Sequence, residues 1–382
     1  MKKSISIILA LLLVLSLALV GCGSKTEPVA ENNEQAGEST EQQEDILKVA
    51  LLINGSLGDK SFFDSADNGM KMLKEKYGDK VETKTIEMGK DLTKWEPTLQ
   101  DVSEQDWDII IVGTWQMSEP LSNVAPQYPD KKYIIFDTNV DYSSGDFPNV
   151  YSVLYKQNEV AFLAGSLAAS VTTSDMPLAN EQKLIGFLGG VDVPVVNDFL
   201  VGYVEGAQYI DKDVKVAISY VGAFSDSAKA KEMSLAQYNQ GADIAFNVAG
   251  QGGLGQIDAA KETNNYVIGV DSDQAHLFKD SDMDKAKLIT TSALKRVDNS
   301  IVRAIEMYKE GTLKFGEAEI TGFKEDCVGL AENEIYTEVV PEEIRKELSE
   351  IKEKLINGDI KVKTAMGMST DELNQIRDSV RP

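Results

Sequence analysis

Short β-branched runs alternate with helical stretches along most of this chain, and the alternation begins twice. Residues 47–53 (LKVALLI) form an apolar run broken only by Lys48. Such a run suits a strand buried on both faces, as in parallel sheets. An amphipathic helix is expected at 64–77, then strands at 81–86, 108–112 and 133–136 with helices between them. After a small-residue helix at 159–171 the pattern restarts. Strands are expected at 184–188, 214–220, 244–248 and 266–270, with a helix from Pro194 and others in the gaps. One more strand end and helix span 292–309, and a charged surface helix with Glu–Lys pairs near i, i+4 covers 341–357. Strand–helix alternation of this kind predicts parallel sheets covered by helices. Two successive units predict two similar α/β lobes, although no close sequence repeat relates them.

The N-terminal residues bear on location. Lys2 and Lys3 precede an apolar run of 16 residues, 5–20, interrupted only by Ser6 and Ser16. That is short for a membrane span of about 20 residues and fits the apolar region of a signal peptide. Leu19-Val20-Gly21-Cys22 resembles a bacterial lipobox, in which cleavage precedes the cysteine and a diacylglyceryl group is attached to its sulfur. The expected division is therefore a signal peptide at 1–21, then a lipidated Cys22 and tether at 22–45. The tether is rich in Glu, Gln, Asn and Ser and cannot bury enough apolar surface to fold. About 20 flexible residues give an r.m.s. span on the order of 25 Å, so the folded part would stand near the extracytoplasmic face of a membrane. With Cys22 lipidated, Cys327 has no intrachain partner and is expected as a small core residue.

Composition excludes several classes. The chain has 382 residues, with 38 Lys plus Arg against 62 Asp plus Glu, a net charge of −24. Nucleic-acid binding needs a basic stripe and is excluded on this balance. A single histidine, His276, and two cysteines leave no histidine-built or multi-thiolate metal site. No metal or cofactor is expected, and no enzyme: a nucleoside hydrolase would need a ligand cluster that is absent here, and His276 lies in a polar turn, as expected of a rim or surface residue.

In two-lobed α/β proteins the ligand binds beyond the carboxyl ends of the strands, in a cleft that hinge motion can close. Candidate residues follow from that rule. Gly58-Asp59-Lys60-Ser61-Phe62-Phe63-Asp64 lies between the first strand and its helix. Adjacent phenylalanines there are badly placed for both to be core, so one packs under the helix and one faces the cleft. Trp115, in Gly113-Thr114-Trp115-Gln116-Met117, either packs on the following helix or faces a ligand. Asp137 ends an apolar strand, as a cap or as an acceptor of ligand N–H groups. Phe199, in Pro194-Val195-Val196-Asn197-Asp198-Phe199, repeats the aromatic-at-helix-start pattern. Gly250, Gly252 and Gly255 fit G-x-G-x-x-G after a strand, and Asp271 follows at the end of the next. The spacing is that of a dinucleotide site, but its physical content suits any ribose-containing ligand: close backbone approach, and a carboxylate for a vicinal diol. Lys295, in Thr291-Ser292-Ala293-Leu294-Lys295-Arg296-Val297-Asp298, is expected at a helix start, where the macrodipole disfavours it, either for a ligand or as a solvated side chain.

These residues resemble the basic membrane protein family of bacterial lipoproteins, whose best understood members are purine nucleoside receptors of ABC importers. The resemblance rests on Asp59-Lys60-Ser61-Phe62, Val248-Ala249-Gly250, Ile268-Gly269-Val270-Asp271-Ser272-Asp273-Gln274 and Thr291-Ser292 with Leu294-Lys295-Arg296-Val297, and covers roughly 46–330. It implies a type I periplasmic-binding-protein fold: two Rossmann-like lobes with parallel sheets joined by a hinge, lobe 1 from 46–154 plus about 294–318 and lobe 2 from 155–293 plus about 319–382. It further implies that Phe62 and Phe199 sandwich a base and Asp137 accepts from the base edge. Asp271 would hold the ribose hydroxyls, Lys295 would reach the sugar oxygens, and Gly250 and Gly252 would offer backbone contacts. Asp59, Ser61, Phe63 and Trp115 complete the expected ligand-binding set. Three carboxylates, Asp59, Asp137 and Asp271, against one Lys295 favour an uncharged nucleoside over a nucleotide. The implied partners are ABC permease and ATPase subunits, and the membrane through the lipid on Cys22. Phe63 stands where the family commonly has Asn, and Trp115-Gln116-Met117 replaces a small, glycine-rich run. A riboflavin-type ligand, or a sensing role coupled to a membrane kinase, is the alternative.

Overall fold

The computed structural model describes residues 46–143, 145 and 147–382; the expected signal peptide, Cys22 and tether lie outside them. Among the described residues twelve strands form two six-stranded sheets. The first contains β1 (Leu47–Ile53), β2 (Val81–Glu87), β3 (Ile109–Gly113), β4 (Lys132–Phe136) and β5 (Val150–Tyr155). The second contains β6 (Leu184–Gly189), β7 (Lys215–Tyr220), β8 (Ile244–Val248), β9 (Tyr266–Asp271) and β10 (Ile289–Lys295). The chain then returns to add β11 (Glu317–Thr321) beside β5 and β12 (Val328–Leu330) beside β10. The orders β2-β1-β3-β4-β5 and β7-β6-β8-β9-β10 are the same walk made twice, so the expected duplication is real at the level of topology. All pairings are parallel except β10 with β12.

The strands form where they do because both sheet faces are covered. Every residue of β1 is buried except Lys48, and β3, β6, β8, β9 and β10 are buried throughout. Three strands escape the sequence pattern. β5 follows β4 with no helix between them among the described residues. β11 is an edge strand with Glu317, Ala318 and Ile320 exposed, so it carries no alternating apolar signal, and β12 is only three residues long. The first helix runs Phe62–Tyr77, two residues earlier than expected.

Two helices packed on the second sheet approach unusually closely. Gln157–Thr172 lies against Pro194–Ile210, and glycines make the contact. A Cβ on Gly165 would sit 2.0 Å from the carbonyl oxygen of Tyr203, on Gly202 2.1 Å from that of Asn158, and on Gly206 1.9 Å from that of Phe162. Ser166 Oγ bonds the Gly206 carbonyl across the same seam at 3.2 Å. The small-residue composition of 159–171 is thus the imprint of backbone-to-backbone packing. Cys327 is buried and unpaired, and burial pushes its thiol up to about 11.

Gly206→Ala should force this pair apart and lower the unfolding free energy by about 1–3 kcal/mol, the usual cost of overpacking. A urea midpoint equal to that of the parent would contradict the close approach.

Candidate functional site

Both sheets turn the carboxyl ends of their strands toward one cavity of about 320 Å³, within the size range of small-molecule sites, roughly 300–1,000 Å³. Its walls come from the segments after β1, β2, β3 and β4 on one side and from those after β7 and β8, the ends of β9 and β10 and the start of Pro194–Ile210 on the other. Asn54 and Thr114, after β1 and β3, stand where the strand order reverses, the usual ligand crevice of a doubly wound sheet.

Of the residues expected at the site, Asp59, Phe62, Phe63, Trp115, Asp137, Phe199, Gly250, Asp271 and Lys295 line this single cavity. Phe62 tilts against Phe136 at 5.4 Å between centroids, and Phe63 meets Phe62 edge-on at 5.5 Å. The bare face of Gly55 accommodates Phe63: a Cβ there would lie 2.3 Å from its ring. Phe199 is buried, braced edge-on by Phe246 at 6.0 Å. Trp115 faces the cavity while 49% exposed, so its core-packing alternative fails.

Lys295 is placed differently from expectation. It is the last residue of β10, with the next helix starting at Val297, so its side chain enters the site from a buried strand end. Its ammonium lies 2.6 Å from Asp137 Oδ1 and within 5.1 to 5.7 Å of the ring centroids of Phe199, Phe62 and Tyr155. Asp137 is therefore no turn cap. Its backbone is left-handed (φ +66°), which turns the carboxylate away from the sheet ladder. Burial raises its pKa against the pull of Lys295. Asp271 has the same backbone feature (φ +62°) and is 8% exposed. Burial pushes it up to about 6, although Lys295 and a 2.5 Å hydrogen bond from Ser61 Oγ favour its charge.

Three expected contacts are already engaged within the protein. Asp59 accepts the backbone N–H groups of Ser61, Phe63 and Asp64 at 2.9 to 3.1 Å, so it caps the Phe62–Tyr77 helix, and burial raises its pKa. Ser61 does not line the cavity; it orients Asp271. Gly252 does not line it either: its N–H donates to the Phe224 carbonyl at 2.7 Å. The glycines of the G-x-G-x-x-G run have local causes. Gly250 takes φ +54°, and Gly255 lets the Ser227 carbonyl approach to 2.0 Å from where a Cβ would be.

Sequence reasoning missed three residues of chemical weight at this cavity, Asn54, Phe224 and the exposed cation Lys90. Asn54 donates to Thr114 Oγ1 at 2.8 Å, while its own Oδ1 is buried without a partner in the cavity wall. Its position directly after β1 was the available signal. Phe224, 38% exposed, faces the cavity from the loop after β7, and nothing in its neighbours marks it. His276 is exposed on Gln274–Lys279, away from the cavity. No group of three or more His, Cys, Asp or Glu side chains able to hold a metal occurs among the described residues, nor does a helix long and apolar enough to cross a membrane.

Two doubly wound sheets facing across a ligand-sized cavity define a periplasmic-type solute-binding protein. A crystal structure of ABC transporter solute-binding proteins from Aeropyrum pernix K1 has this architecture, with a TM-score of 0.74 at 27% identity, covering 87% of this chain and 99% of that one. The chain belongs to the Bmp family, the PnrA-like ABC transporter substrate-binding proteins, whose model matches residues 46–364. Basic membrane protein A1 of Borrelia garinii subsp. bavariensis is 34% identical over 322 residues, 83% of this chain and 88% of that protein. The ABC transporter nucleoside-binding protein BmpA of Lactococcus lactis subsp. cremoris is 28% identical over 95% of this chain and 99% of its own length. This is a family of solute-binding proteins, not a class of enzymes.

Lys295→Met leaves the Asp137 carboxylate buried and unpaired, and should lower stability by roughly 3–5 kcal/mol. Adding Asp137→Asn should recover part of the loss. Urea denaturation finding the double variant no more stable than Lys295→Met would reject the pairing.

Proposed function

We propose that this protein is the lipid-anchored, extracytoplasmic receptor of an ABC importer, binding a neutral purine nucleoside between its two lobes and delivering it to the permease. The observation that carries the reading is the convergence on one cavity of two aromatic rings from opposite lobes, Phe62 and Phe199, with a buried carboxylate, Asp271. The rings suit the faces of a flat base. An ionised Asp271 suits the two hydroxyls of a ribose, with its second neighbour Lys295 beside it. Asn54 Oδ1 offers an acceptor for a base N–H. The printed name of the Lactococcus relative supports the same class of ligand. Three acidic side chains against two lysines, buried Lys295 and exposed Lys90, leave the cavity net negative, which disfavours a phosphorylated ligand. A larger flat ring of the riboflavin type is the second reading, favoured by the exposed Trp115 and Phe224 at the same cavity. In either case residues 22–45 would tether the lobes to a lipid on Cys22.

The deciding experiment is a thermal-shift screen of the full chain in detergent against nucleosides, free bases, ribose and riboflavin. A ligand at 100 times its Kd adds about 2.7 kcal/mol, and a response to riboflavin alone would overturn the nucleoside reading. Asp271→Ala should weaken nucleoside binding at least tenfold, since hydrogen bonds to a charged group are worth roughly 1.5–3 kcal/mol; calorimetry checks this. Ionised Asp271 is the acceptor, and its pKa in the fold is about 6. Affinity should therefore be full above pH 7 and fall as the pH drops through 6, with Asp59, Asp137 and Lys295 the other charges facing it. An affinity flat between pH 8 and 5 would remove Asp271 from the ligand. Phe62→Ala and Phe199→Ala should each weaken all purine nucleosides by a similar factor, because stacking reads a ring face; a loss confined to one base would argue against it. Cys22→Ser should move the protein from the membrane fraction to the soluble one on centrifugation, and retention at the membrane would refute the anchor.

A further inference from the structure

The Pro194–Ile210 helix opens against the cavity, and its first turns have two working sides. Val195, Val196 and Phe199 line the cavity. Asn197 and Asp198, between them in sequence, are buried and engaged by the far C-terminal end of the chain. Asp198 accepts Thr364 Oγ1 at 2.6 Å and the Ala365 N–H at 2.8 Å on one oxygen, and Gln157 Nε2 at 2.7 Å on the other. Arg377, on the helix Thr370–Ser379, reaches Asp192 Oδ1 at 2.7 Å, Tyr220 Oη at 2.9 Å and Asn197 Oδ1 at 3.1 Å through one guanidinium nitrogen. Its guanidinium also stands 5.1 Å from the Tyr220 ring centroid. The same cluster closes on itself: Tyr220 Oη donates to Asn197 Oδ1 at 2.6 Å, and Asn197 Nδ2 to Asp192 Oδ1 at 2.8 Å. Beyond it, the Val380 carbonyl accepts the Val216 N–H at 2.8 Å, which ties the segment to the edge strand β7.

We propose that residues 364–382 are a clasp that positions the ligand-facing turn, with Arg377 as its principal positioning residue. The proposal rests on reading the cavity as the nucleoside site. It goes beyond the family relationship, because the family match ends at residue 364 and two of the groups that grip this turn, the Ala365 N–H and Arg377, come after it. The physical logic is that of a supported wall. Phe199 can meet a flat ring in one geometry only if its helix start is held to within about 0.5 Å. That start has no side-chain cap of its own: Val193 precedes it and Pro194 opens it. The fixation comes instead from Asn197 and Asp198, whose partners are supplied by the C-terminal segment, by Gln157, and by Asp192 and Tyr220, which Arg377 itself bridges. Arginine suits the task because its planar, always charged fork bridges several acceptors at once, which a lysine cannot do with the same rigidity.

The test compares the full chain in detergent with Arg377→Met and with Ile351→Ala, a buried change on the helix Glu342–Asn357, which contributes no residue to the cavity lining or to the contacts of Asn197 and Asp198. Calorimetry with inosine, guanosine and adenosine gives affinity, and hydrogen exchange of the peptide 193–201 gives the order of the turn. Arg377→Met is expected to weaken nucleoside binding at least fivefold at 25 °C and to speed exchange in 195–199. Ile351→Ala is expected to lower the melting temperature and leave Kd unchanged. An Arg377→Met protein with the parent Kd overturns the proposal, as does an equal loss of affinity in Ile351→Ala, which would mark the effect as general destabilisation. If the parent chain binds no nucleoside, the ligand reading falls and exchange decides the clasp alone. Faster exchange confined to that turn upholds it, and exchange unchanged by Arg377→Met defeats it.

Discussion

The ammonium of Lys295 is the point on which the two lobes agree. It leaves the end of β10 in the second sheet, meets Asp137 from the end of β4 in the first, and sits among Phe62, Phe199 and Tyr155. A cation buried to this degree is tolerated only when paired, and aromatic faces add to the compensation. The pair therefore requires both strand ends and both ring-bearing helix starts to hold their places. It also places the buried positive group of the cavity among Asp59, Asp137 and Asp271, while Lys90 lines the cavity from an exposed position.

The rigid parts of the fold explain how those strand ends stay in register. The glycine seam between Gln157–Thr172 and Pro194–Ile210 brings two backbones into contact, so the second helix cannot slide without collision. Asp59 performs a similar service for Phe62–Tyr77 by gathering three N–H groups at its start. Phe62 and Phe199 are thus each carried on a helix whose first turn is pinned by polar groups. At Phe62 the pin lies three residues before the ring. At Phe199 it is supplied by side chains more than 150 residues later in sequence.

Much of this was legible beforehand because parallel strands are covered on both faces and so read as apolar runs. β1 was found at its observed ends, and β3, β4, β6, β8 and β9 to within a residue or two. β11 was invisible because it is an exposed edge, and β12 because three residues carry no period. The site followed from a single rule, that ligands gather beyond strand ends, which led to Trp115, Asp137, Gly250 and Asp271. The rule did not reveal how those groups are used. Asp59 and Gly252 bear the right chemistry but direct it inward, to a helix start and to the Phe224 carbonyl. Asn54 was passed over because a polar residue after a strand looks like any turn.

The sequence by itself determined the two α/β units, the acidic balance that excludes nucleic acid, and a short set of residues at strand ends. Local pattern suffices for these, since burial on two faces leaves its mark residue by residue. Only the tertiary structure decided that Lys295 belongs to a strand and pairs with Asp137, that Asp137 and Asp271 turn their carboxylates through left-handed backbone, and that Arg377 supports the turn bearing Phe199. Such facts depend on contacts between residues far apart in the chain and on backbone angles no side chain announces. They exist only once both sheets have formed and their ends have met.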